Sequence, residues 1–188
     1  VLMATESDKA RVVNAASFRR LQQKAQVFPL ESNAAVRSRL THSIEVSQVG
    51  RYIVQEIIRI INEKCNINDL LNPNHESNNI VYETLASFSN TVETACLLHD
   101  IGNPPFGHLG EAAIQQWFAK KNSSQSEDLT YVYLPFFDGN AQGLRLVNFL
   151  SGQDNFGLNL TCSTLLAMIK YPKTLGHEPK KYKGIFGN

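Results

Sequence analysis

The spacing of large aliphatic residues between positions 43 and 64 constrains this chain more than any other feature. Val46, Val49, Ile53, Ile57 and Ile61 recur every three to four positions, the period of one helical face rather than of a strand. Val81, Leu85, Phe88, Val92 and Ala95 repeat the pattern further along. Two long helices follow, 43–64 and about 81–99, each with an apolar side to bury. Gly50 costs the first of them ~1 kcal/mol relative to alanine, so close packing against a neighbour is the expected reason for it.

Shorter signals fill in the rest. Residues 11–25 carry Val12, Val13, Ala16, Phe18 and Leu21 between basic positions, an amphipathic helix. Gln26-Val27-Phe28-Pro29 breaks it, because proline disfavours helix in the residue before it. The Asn-rich stretch 66–79 contains Pro73 and reads as a loop. Gly102, Pro104 and Pro105 end the second long helix. Another helix is expected from about Glu111 to Lys121, anchored by Trp117 and Phe118, then a polar surface loop over 121–128. Residues 141–150 and 160–170 predict two more helices. No strand, repeat or linker stands out, so the expectation is one mainly α domain over 1–188.

Composition narrows the class. With 188 residues, 43% hydrophobic and 19% charged, the chain is too apolar to be disordered. A net charge of +1 excludes a protein that binds polyanions all over, though not a local basic patch such as Arg11, Arg19, Arg20 and Lys24. Cys65, Cys96 and Cys162 form no CxxC pair, which argues against a disulfide scaffold or zinc ribbon and suits a reducing compartment. No apolar signal core or run of ~18 apolar residues is present. A cytoplasmic protein with no membrane partner is expected.

The chemistry begins where the second stripe ends. One further helical step from Ala95 reaches His99, with Asp100 beside it. Alone, such a pair reads as a core histidine bonded to a backbone carbonyl, with the aspartate serving the next turn. Two more histidines change the weighing. His42 stands at the head of the first long helix, and His108 lies three residues before Glu111, on the same helical face. A carboxylate so placed holds an imidazole in one tautomer and raises its basicity, as a general acid or base requires. His75 and His177 lie in polar, loop-like surroundings and read as exposed.

The string Leu98-His99-Asp100-Ile101-Gly102-Asn103-Pro104-Pro105-Phe106-Gly107-His108-Leu109-Gly110-Glu111 resembles the HD superfamily. So do Phe18-Arg19-Arg20-Leu21-Gln22, Gln26-Val27-Phe28-Pro29-Leu30 and Arg37-Ser38-Arg39-Leu40-Thr41-His42-Ser43-Ile44-Glu45-Val46. More narrowly, the blocks resemble bacterial deoxyguanosine triphosphate triphosphohydrolases, as do Gly139-Asn140-Ala141-Gln142-Gly143-Leu144-Arg145 and Lys170-Tyr171. The match covers roughly residues 8–171.

The resemblance implies an HD-type helical bundle that hydrolyses dGTP to deoxyguanosine and triphosphate. It makes His42, His99 and Asp100 metal ligands, and His108 a catalytic histidine with Glu111 as its partner. Gln26, Val27, Asn140, Lys170 and Tyr171 become substrate-binding residues. The cofactor would be a divalent ion, Mg2+, Mn2+, Co2+ or Fe2+; imidazole and carboxylate ligands alone also admit Zn2+. The partners it implies are dGTP or another dNTP, further copies of the chain in a homo-oligomer, and single-stranded DNA. Arg37, Arg39, Arg145 and Lys170 are candidate cations for a triphosphate. Asn103 stands where many HD relatives have histidine, which places proton transfer on His108. The family's fourth ligand, an aspartate, is expected beyond Asn188, which makes the chain the N-terminal part of a longer one. Two alternatives stay open: an HD phosphohydrolase of other nucleotides, and a non-enzymatic subunit binding single-stranded nucleic acid.

Overall fold

The computed structural model describes residues 1–24, 38–74, 78–122, 137–152 and 155–170. Within them the chain forms eight α-helices and no strand ladder. They are α1 (Leu2–Asn14), α2 (Ala16–Arg19), α3 (Arg39–Lys64), α4 (Ile67–Leu71), α5 (Asn78–Leu98), α6 (Gly107–Asn122), α7 (Gly139–Arg145) and α8 (Cys162–Ala167). The mainly α expectation holds. No helix among the described residues is long and apolar enough to cross a membrane.

Helix α5 is the hub, packed by α3, α1 and α8. The buried core gathers Val12 and Phe18 with Leu21, Leu97, Leu98, Ile101, Val147, Leu158 and Leu160. Burying each such side chain contributes ~1.5–3 kcal/mol. The end of α5 and the turn after it, Leu97 to Ile101, therefore sit in the best-packed part of the molecule, and that turn carries His99 and Asp100.

The two aliphatic stripes are helical as expected, but they are not the buried faces. On α3 the buried positions are Ser43, Ser47, Gly50 and Val54, whereas Val49, Ile53 and Ile57 are 58%, 51% and 40% exposed. The buried set lies one residue on from the aliphatic set, ~100° around the helix. Small side chains won that side because they admit α5 closely. A Cβ built on Gly50 would lie 2.7 Å from Cys96 Sγ, which is the close approach its presence suggested. On α5, Val81 is buried but Phe88 is 44% exposed, and Ser87, Asn90, Glu93 and Thr94 are buried with Leu97 and Leu98. Glu93 bears the cost of that polar interior by pairing with Lys9 of α1 and with Arg51 of α3, the latter at 2.7 Å. A buried carboxylate is tolerated when cations and hydrogen bonds surround it.

Other boundaries differ locally. The expected helix 11–25 breaks at Ala15, whose extended backbone separates α1 from α2, and Arg20–Gln23 tightens into a 3-10 turn. Residues 66–79 are not all loop: Asn66 caps α4 by accepting from the Asn68 N–H. Trp117 is no core anchor, being 53% exposed with its ring edge-on to Phe118. Helix α7 runs on as a π turn over Leu146–Leu150, and the 160–170 helix is only α8. His75 and His177 lie outside the described residues.

Asp8 closes the bundle across the chain. Its buried carboxylate accepts from Arg11 at 2.8 Å, from the Thr161 N–H and hydroxyl at 3.0 and 2.7 Å, and from the Thr164 hydroxyl at 2.7 Å. These bonds fasten α1 to the first turn of α8. Burial pushes the Asp8 carboxyl up, but the hydrogen bonds from Thr161, Thr164 and Arg11 outweigh it, so its pKa lies below the ordinary value.

Candidate metal centre and catalytic dyad

Helix α3 starts at Arg39, four residues earlier than its apolar period indicates, because Ser38 caps it by accepting from the Thr41 N–H at 3.2 Å. The cap places His42 in the first turn, against the end of α5. His99 and Asp100 lie in the turn that closes α5. The His42 and His99 rings meet edge-on with centroids 5.2 Å apart. One ligand atom from each of His42, His99 and Asp100 lies within 4.8 Å of the others. Three of the expected ligands thus converge, and no fourth joins them among the described residues.

The cluster is oriented from behind. His99 Nδ1 bonds the Cys96 carbonyl at 2.7 Å. Since a carbonyl only accepts, Nδ1 carries the proton and Nε2 keeps its lone pair, 3.4 Å from Asp100 Oδ1. Fixing the far nitrogen in this way is how proteins aim an imidazole ligand. Burial, chiefly, holds the His99 pKa below the ordinary value, with smaller pushes in the same direction from Lys170 and His42. That direction favours the neutral imidazole, the form a metal ligand needs. Asp100 accepts from Arg39 Nη1 at 3.0 Å on Oδ2 and from Asn103 Nδ2 at 2.7 Å on Oδ1. Each oxygen retains acceptor capacity. Two imidazoles and one anchored carboxylate fit a divalent transition-metal ion.

Arg39 is therefore not a free cation for a triphosphate. Its side chain is 3% exposed and neutralises Asp100. Arg145 is exposed, and Arg37 lies outside the described residues. Of the basic face expected from Arg11, Arg19, Arg20 and Lys24, Arg19 and Arg20 are exposed, while the other two are engaged within the fold. Arg11 is spent on Asp8, and Lys24 Nζ turns inward to donate to the Asn103 carbonyl at 3.2 Å. Burial, with the Arg39 charge second, lowers the Lys24 pKa.

The second half of the site follows a tight turn. Phe106 adopts φ 67° and Gly107 φ 55°, a left-handed bend that stores of order 1–3 kcal/mol at a non-glycine residue. Gly107 also needs its missing Cβ, which would lie 3.1 Å from Arg39 Nη2. The bend starts α6 so that His108 Nδ1 meets Glu111 Oε2 at 2.8 Å. His108 is exposed, whereas the Glu111 side chain is 13% exposed and its Oε1 accepts the Gly139 N–H at 2.9 Å. The carboxylate is anchored and the imidazole faces outward.

Of the expected substrate residues, Asn140 sits beside this dyad in the first turn of α7, its amide donating to Asp138 Oδ1 at 3.1 Å. Lys170 is exposed, and its charge is felt by His99 and Cys96. Gln26, Val27 and Tyr171 lie outside the described residues. Reading from sequence missed the support around these groups: Arg39 as the partner of Asp100, Asn103 as its second donor, Lys24 behind Asn103, and Gly139 at the dyad. The short polar and glycine-bearing spacing of 100–107 was the available signal for a packed turn.

Residues 39–133 match the family model of the HD domain; the chain belongs to that family. It is similar to proteins named deoxyguanosinetriphosphate triphosphohydrolase. One, from Yersinia pseudotuberculosis serotype O:3 (strain YPIII), is 44% identical over 202 residues, covering 89% of this chain and 36% of that protein. Another, from Cronobacter sakazakii (strain ATCC BAA-894), is 42% identical over 206 residues, covering 95% and 38%. A third, from Enterobacter sp. (strain 638), is 41% identical over 218 residues, covering 97% and 40%. The chain spans well under half the length of these relatives.

Proposed function

We propose that this chain carries most of the active site of a metal-dependent dNTP triphosphohydrolase, acting on dGTP to give deoxyguanosine and triphosphate. The observation that carries the reading is the His42/His99/Asp100 cluster with the exposed His108–Glu111 pair held against the same turn. The names of the relatives support the substrate.

His42, His99 and Asp100 would hold the divalent ion, Mg2+, Mn2+, Co2+ or Fe2+. When bound, such an ion polarises phosphoryl oxygens and lowers the pKa of water at the site. The chain's own groups do the rest. Arg39 and Asn103 keep Asp100 in one rotamer. His108, with Glu111 on Nδ1, is the proton donor: water oxygen bonds to the α-phosphorus, the P–O5′ bond breaks, the leaving 5′-oxygen takes a proton from His108 Nε2, and the proton the water gives up passes to the released triphosphate or to solvent. Lys170, exposed and near His99, offers a cation to the triphosphate. Gln26, Val27, Asn140 and Tyr171 are assigned to the sugar and base. The protein is assigned to the cytoplasm as a homo-oligomer.

The test is a nucleotide panel with Mn2+ and the complete polypeptide, the products separated by ion-exchange chromatography. Triphosphate from dGTP in preference to GTP is the expected result. Orthophosphate or pyrophosphate instead would assign another HD phosphohydrolase activity, and salt-sensitive oligonucleotide binding without turnover would assign a nucleic-acid subunit.

A further inference from the structure

Between the metal cluster and the dyad lies a single backbone position, Gly139. A Cβ built there would come 2.1 Å from Asn103 Oδ1 and 2.8 Å from Glu111 Oε1. These two side chains serve different halves of the site. Asn103 donates to Asp100 at 2.7 Å, and Glu111 bonds His108 Nδ1 at 2.8 Å. The Gly139 N–H itself donates to Glu111 Oε1 at 2.9 Å. Asp138 fixes where Gly139 sits, because its carboxylate caps α7 by accepting from the Asn140 N–H at 2.7 Å. Asn103 is held from its other end by Lys24 on its carbonyl.

We infer that Gly139 is a positioning residue that sets the cation cluster and the His108–Glu111 dyad in register. Its bare Cα is the surface on which Asn103 and Glu111 both rest, and its N–H ties the second of them down. The role rests on the proposed hydrolase reading only for its effect on turnover; the geometry stands without it. The neighbouring glycines behave differently. A Cβ on Gly102 would meet backbone atoms of Gly139 and Gly143 at 2.1 Å, so it guards the fold. A Cβ on Gly143 would meet nothing nearer than 3.4 Å, an ordinary contact. At Gly139 the obstruction falls on the ends of two side chains rather than on backbone. The fold can absorb a methyl group there, and the site cannot.

The test uses the complete polypeptide with Gly139→Ala, Asn103→Ala, Glu111→Gln and Gly143→Ala, each checked by circular dichroism. Mn2+ affinity by calorimetry reads the cluster. The ring 15N shifts of His108 in histidine-labelled, chelator-treated protein read which nitrogen carries the proton, and so the dyad. Asn103→Ala should weaken Mn2+ binding ~10–100-fold, the usual cost of removing a group that supports a ligand, and leave the His108 shifts alone. Glu111→Gln should do the reverse. Gly139→Ala should move both readouts together and lower kcat ~10²-fold, as for ~1 Å of misplacement. Gly143→Ala should move neither. Folded Gly139→Ala with only one readout displaced, or none, overturns the proposal. Should Gly139→Ala fail to fold, the double variant with Asn103→Ala decides. A folded double variant with displaced His108 shifts supports the contact, and an unfolded one makes Gly139 a fold residue and overturns the role. A wild-type protein inactive on dGTP would defeat the hydrolase reading while leaving both binding readouts to judge Gly139.

Discussion

At the scale of single residues, exposure separates the two histidine roles. His99 is aimed by the Cys96 carbonyl and sits beside a carboxylate paired with Arg39, whereas His108 is exposed and bonds Glu111 through Nδ1. His108→Ala is therefore expected to leave Mn2+ binding intact and to lower kcat by ~10²–10⁴, the size of a general acid contribution. Calorimetry and steady-state rates on the same preparation check it; lost Mn2+ would make His108 a ligand. Asp8 gives a residue-scale prediction of another kind. Its folded pKa is depressed, so its contribution to stability is present above the ordinary carboxyl value of ~3.9 and is lost as pH falls through the lower folded value. Asp8→Asn should cost about 2 kcal/mol at pH 7, the scale of hydrogen bonds to a charged group. The Tm gap to wild type should close progressively below ~pH 4. A gap that persists unchanged at pH 2 would contradict the assignment.

At the scale of elements, periodicity revealed that α3 and α5 are helices but misjudged which side they bury. Hydrophobic size predicts the inward face only when nothing favours closer approach. Here Ser43, Ser47 and Gly50 let α3 settle against α5, with Gly50 against Cys96. A double-mutant cycle tests this packing. Gly50→Ala gains ~1 kcal/mol of helix propensity but forces Cys96 Sγ aside, and overpacking typically costs ~1–3 kcal/mol. The single variant should be destabilised. Adding Cys96→Ala removes the obstructing sulfur, since the next contact is Val92 Cγ1 at 3.4 Å. The pair should then show a favourable coupling of ~1 kcal/mol by urea denaturation. Additive effects would mean that the two helices do not meet there.

At the scale of the whole molecule, the aliphatic side of α3 stays open, with Ile44, Val49, Tyr52, Ile53, Ile57 and Ile60 all at least 40% exposed. An apolar strip of this length is an association surface in water. Residues 1–188 expressed alone should self-associate at micromolar concentration and bind Mn2+ weakly, with no useful triphosphate release. Three ligands with one carboxylate leave much of a dication's charge uncompensated. Sedimentation and Mn2+ titration check this, and Ile53→Glu/Ile57→Lys should restore a monomer. A monomeric wild-type fragment with tight Mn2+ and full turnover would refute it.

What the amino-acid sequence determined by itself was local. A period of 3.6 made the helices, prolines and glycines ended them, and the string from His99 to Glu111 named the chemical groups. Spacing even paired His108 with Glu111, because an i,i+3 relation is a property of any helix. The tertiary structure alone decided what depends on residues far apart in the chain. Arg39 reads as a solvated phosphate cation until α3 lays it against Asp100, 61 positions away. Nothing in the local sequence singles out Asp8; its partner Thr161 arrives 153 positions later. Gly139 is only one member of the 139–145 block in the sequence until Asn103 and Glu111 close on it. In each case the residue's identity is written locally, but its energy is set by the partner that folding brings within about 3 Å.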